Sequence, residues 1–142
     1  MSARSMNRVL AVADWSVDPG AVADALAAAG DGERTAFGFL VPARLPGLAW
    51  IGDPNASRPC AERQLAELER LARERGLTVE VATVGDPERL AAITTSLETW
   101  DADRISLFDR RPRRLARRLE RKTGRPVRTR LLPALRQRCN RF

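Results

Sequence analysis

The chain has 142 residues, enough to bury one full hydrophobic core and too few for two domains of ordinary size. It contains no histidine, which removes the usual general base and the commonest metal ligand, so Ser-His-Asp, Cys-His and His-zinc chemistry are excluded. The net charge of +7 conceals a division. Residues 1–103 carry ten arginines against sixteen acids, whereas residues 104–142 carry fifteen basic residues against only Asp109 and Glu120.

In chain order the first signal is "RVLAVAD" (Arg8 to Asp14), a short apolar run ending at an acid, as expected of a strand buried on both faces of a parallel sheet. "DPGAVADALAAAG" then opens a helix with Asp18 as N-cap and Pro19 at its first position, and Gly30 closes it. "TAFGFLV" (Thr35 to Val41) is a second strand. The connection after it has three prolines and an apolar patch at Leu48, Trp50 and Ile51, a length usual for functional loops. The helix "SRPCAERQLAELERLARERG" follows, with Ala61, Leu65, Leu68 and Ala72 on one face, an ion pair from Glu69 to Arg73, and Gly76 at its end.

"TVEVATV" (Thr78 to Val84) reads as a third strand, and the next helix is expected to be capped by Asp86 and to start at Pro87. Leu90, Ile93, Leu97 and Trp100 line its inner face. "RISLF" (Arg104 to Phe108) is a fourth strand, "PRRLARRLERKTG" a fourth helix and "VRTRLL" (Val127 to Leu132) a fifth strand. Regular alternation of this kind requires right-handed crossovers. The expected fold is therefore α/β: one domain with a five-stranded, parallel, doubly wound sheet and helices on both faces, its core at about residues 7–133 and a basic tail at 133–142.

The fourth helix sorts its residues by face. Leu115, Ala116 and Leu119 form the stripe that packs on the sheet. Arg113, Arg117 and Arg121 stack on the outside, with Arg114, Arg118 and Lys122 beside them. This face is either a solvated surface or a contact for a polyanion, nucleic acid or an acidic or phosphate-bearing partner. No aromatic residue lies among the arginines to stack on bases. The two cysteines, Cys60 and Cys139, are far apart and read as isolated small residues in a reducing compartment. No segment resembles a signal sequence or a membrane span, so a cytoplasmic protein that does not engage membranes is expected.

Four stretches taken together resemble the universal stress protein family of the adenine-nucleotide α-hydrolase-like superfamily. "VLAVADWS" is similar to that family's opening strand, with Trp15 where glycine is common, and "VEVATVGDPERLAAI" to its third strand and the following turn. "DADRISLF" and "GRPVRTRLLP" are similar to its fourth and closing strands. The resemblance implies that Val12, Ala13, Asp14 and Val41 occupy positions that contact adenosine in the family, and that the fifth strands pair in a homodimer. The glycine-rich Gly-x2-Gly-x9-Gly-(Ser/Thr) loop of ATP-binding members is missing. Between Asp109 and Pro126 only Gly124 occurs, and "DRRP" stands where the loop would begin. Asp109 would repel phosphates there. Trp15 either stacks on a ligand ring or fills the pocket itself. The expected function is thus association without catalysis and without an ATP cofactor. The alternatives are a small-molecule or nucleotide site redesigned around Asp14, or polyanion binding by the basic helix.

Overall fold

In the computed structural model, residues 6–29, 34–44 and 57–132 are described. The expected apolar loop patch at Leu48, Trp50 and Ile51, the closing Gly30, Cys139 and the basic tail lie outside them. The elements run β1 (Asn7–Ala13), α1 (Pro19–Ala28), β2 (Thr35–Pro42), α2 (Arg58–Glu74), β3 (Thr78–Gly85), α3 (Arg89–Thr99), β4 (Arg104–Asp109), α4 (Arg113–Thr123) and β5 (Val127–Leu131). All neighbouring strands are parallel, in the order β3-β2-β1-β4-β5. The chain starts in the middle of the sheet, winds outward to β3, then returns across β1 to β4 and β5. That reversal is the doubly wound topology.

Strand alternation divides the core in two. Val9, Ala11, Phe37 and Phe39 point to one face, where Val22 and Leu26 of α1 and Leu68 and Ala72 of α2 cover them. Leu10, Val12, Leu40, Ile105 and Leu107 point to the other, under Ile93 and Leu97 of α3 and Leu115 and Leu119 of α4. Every residue of β2 is buried, which explains why its sequence is an unbroken apolar run. β5, by contrast, is an edge strand whose last four residues are all exposed.

Local signals mostly operate where the sequence places them. The Asp18 side chain accepts from Gly20 N at 3.0 Å, with Pro19 opening α1. Glu69 pairs with Arg73 at 2.9 Å on α2. Gly124 adopts φ 69° and ends α4 in the left-handed conformation that glycine adopts without strain. The start of α3 differs from expectation. Its N-cap is Glu88, whose carboxylate accepts from Leu90 N and Ala91 N, both at 3.0 Å. Asp86 and Pro87 instead complete the turn, because β3 continues to Gly85 and the longer glutamate side chain reaches two amides at once.

Trp100 occupies the space left by an absent side chain. A Cβ on Gly38 would lie 2.8 Å from its ring. Beside it, β3 carries a register shift opposite Phe37 and Gly38, and Glu80 there accepts from Trp100 Nε1 at 3.0 Å. The reading of Cys60 as an isolated residue is overturned: Cys60 is disulfide-bonded, and it is buried near the start of α2. Sequence spacing does not reveal such a link, because it depends on where two thiols lie in space. No helix among the described residues is long and apolar enough to cross a membrane.

Candidate functional site

In an open parallel sheet the crevice where strand order reverses, at the carboxyl ends, is the natural ligand position. Here it lies between β1 and β4. Asp14 follows β1 and is held by a backbone bond from its N to Phe108 O, 3.1 Å. Arg44 follows β2, and Asp109 closes β4. The parallel strands end together and therefore bring these three charges to one rim, although they are distant in sequence.

The Asp14 side chain is only 2 % exposed. Its Oδ1 accepts from Arg44 Nε at 2.5 Å and its Oδ2 from Arg44 Nη2 at 3.1 Å, a two-pronged guanidinium–carboxylate pair. Oδ2 also accepts from Ser16 N at 3.0 Å and from the Ser16 hydroxyl. Burial disfavours the charged form of Asp14, yet the bonds and charge of Arg44 and the bonds from Ser16 outweigh it and hold the carboxyl below the ordinary aspartate range. Arg44 is held above its usual value by its bond to Asp14, which prevails over partial burial, and the Asp109 charge contributes further. Asp109 itself is buried, pairs with Arg89 and accepts from Arg110 N at 2.6 Å. The rim is thus an alternating chain of Asp14, Arg44, Asp109 and Arg89.

Trp15 packs beside this pair. Its Nε1 donates to Arg44 O at 2.8 Å, and the guanidinium sits 5.7 Å from its ring centroid. The ring packs on the small cluster of Val41, Ala43 and Ala61. Underneath, Gln64 of α2 donates to Asp14 O at 3.2 Å and Val17 O at 2.7 Å. Val12, Ala13 and Val41 are buried, their side chains in three different core clusters, so they meet Asp14 only along the strand ends. Asp109 is not the bare charge the sequence suggested, because Arg89 neutralises it.

The basic helix divides in a way periodicity did not foresee. Leu115, Ala116 and Leu119 are buried as expected, and the arginines and Lys122 are exposed. Arg113, Arg114 and Arg118, however, face a cleft of about 730 Å³ together with Arg89, Arg110 and Arg111. Arg117 and Arg121 lie on a separate shallow surface beside Glu120. The arginines after the fourth strand, Arg110 and Arg111, belong to the redesigned-site alternative read from the sequence. Sequence reasoning passed over Arg44 and Arg89, because nothing local marked them as partners of strand-end acids.

No protein-family model matches the chain, and no curated protein does. Among solved structures, a universal stress protein from Archaeoglobus fulgidus is similar at 20 % identity with a TM-score of 0.54, over 87 % of this chain and 97 % of that one. At that identity the likeness concerns the architecture alone. The chain has the fold of a universal stress protein: a five-stranded parallel α/β sheet covered by helices on both faces.

Proposed function

We propose that this domain acts by association rather than catalysis, that its nucleotide crevice is closed, and that two copies join through β5. The observation that carries the reading is the state of Asp14: its carboxylate is engaged by Arg44 and Ser16 within the fold, and Arg44 in turn lies against Trp15. A ribose hydroxyl would have to displace the half-buried Arg44 guanidinium. The glycines whose backbone would approach a triphosphate are absent. For the association itself, β5 supports the reading, with one edge unpaired among the described residues and Leu131 67 % exposed. Arg128 and Arg130 alternate with Thr129 along it, so pairing must keep the guanidiniums of the two copies apart.

Calorimetric titration with magnesium-ATP tests the first half, and saturable binding abolished by Asp14→Ala overturns it. Sedimentation at micromolar concentration tests the second, with twice the 15.7 kDa chain mass expected. A Thr129→Pro variant, which removes an edge amide, should then sediment as the single chain. Residence in the cytoplasm is part of the proposal, and thiol labelling in freshly lysed cells tests it, a reactive Cys60 thiol being expected where thiols are kept reduced.

A further inference from the structure

We propose that the arginine-lined cleft beside the start of α4 binds a compact anion bearing two or more phosphate groups. The cleft, about 730 Å³, falls in the range of small-ligand sites. Its floor is apolar, formed by Pro112 and Leu115 with Leu131 of β5 at its side. Its walls converge from the loop after β4 and from the first two turns of α4.

Charge balance is the central argument. The side chains of Arg110, Arg111, Arg113, Arg114 and Arg118 form no ion pair or hydrogen bond with any described residue, although the other arginines of the rim, Arg44 and Arg89, do. Among the described residues Glu88 is the one acid in the lining, and its two oxygens already cap α3. Like charges gathered around a concavity repel one another without a counterion, so the fold carries an electrostatic cost here that a bound anion removes. α4 adds to this, since Pro112 at its N-cap makes no side-chain bond to the first-turn amides.

The geometry also selects the kind of anion. Guanidinium forks match phosphate oxygens in pairs, and five of them exceed what one phosphate dianion neutralises. The groups converge on a hollow instead of running along a stripe, and among the described residues no aromatic side chain lines it to stack on bases. Both features favour a small multiply phosphorylated ligand over a nucleic-acid strand.

The test compares two charge-matched variants by calorimetry at about 0.15 M salt, with tripolyphosphate as the probe. Arg111→Gln/Arg114→Gln/Arg118→Gln removes three cleft guanidiniums, and Arg117→Gln/Arg121→Gln/Lys122→Gln removes three charges from the far side of the same helix. The native chain should bind one tripolyphosphate per cleft, and the cleft variant should bind it roughly a hundredfold more weakly. The far-side variant should lose less than about threefold, through the long-range field alone. Circular dichroism checks that both remain folded, and Arg114→Gln alone, at an exposed position, should still cost about tenfold. Equal weakening by the two triple variants would overturn the proposal, as would no measurable binding. Tighter binding of a single-stranded oligonucleotide than of tripolyphosphate would also overturn it.

Discussion

Replacing Arg44 by methionine removes the guanidinium and keeps an unbranched stem against Trp15, so the effect reports on the charge. Asp14 is left with Ser16 as its side-chain partner in a position only 2 % exposed. Removing one member of a buried pair costs about 3–5 kcal/mol. Arg44 is itself 29 % exposed, so water reaches the carboxylate once the guanidinium is gone, and the expected loss is about 2–3 kcal/mol. In a domain of this length that lowers Tm by about 5–12 °C. The pH dependence supplies a second check. The carboxyl of Asp14 is depressed in the native chain, so its stabilisation is present above the unfolded value near 3.9 and is lost as pH falls through the lower folded value. Without Arg44, burial remains and pushes the carboxyl upward, so protonation during acidification relieves the buried charge at higher pH. Urea unfolding curves of the two proteins should therefore differ most near pH 7 and converge towards about pH 4. A difference under about 0.5 kcal/mol at pH 7, or one unchanged across that range, would refute the assignment of Asp14 as a structurally satisfied buried carboxylate.

Two further outcomes follow from packing. Gly38→Ala places a methyl group 2.8 Å from the Trp100 ring and from Val81, so it should cost about 1–3 kcal/mol by urea unfolding, with most of the loss absent in a Trp100→Ala background. Thr35 is fully buried, and its hydroxyl has no hydrogen-bond partner among the described residues, so Thr35→Val should raise stability by about 1 kcal/mol.

The sequence by itself determined the elements, the parallel doubly wound sheet and the inner stripe of α4. Each is encoded over a few residues: continuous apolar runs in β1 and β2, the Asp18-Pro19 start of α1, the spacing of Leu115, Ala116 and Leu119. Even there a local rule chose wrongly at α3, where Asp86-Pro87 was the expected start and Glu88 is the cap, because β3 runs on to Gly85. What the tertiary structure alone decided is the character of the site. Asp14 was identified, but whether its carboxylate is open or occupied depends on Arg44, thirty positions away, which reaches it because β1 and β2 are neighbours whose ends coincide. The division of the arginines has the same origin. Helical periodicity shows that Arg113, Arg114, Arg117, Arg118 and Arg121 face outward, but a cleft needs an opposite wall. Arg114 and Arg118 have one, because right-handed crossovers set Leu131 of β5 and the start of α3 across from them, whereas Arg117 and Arg121 look out beside Glu120 alone.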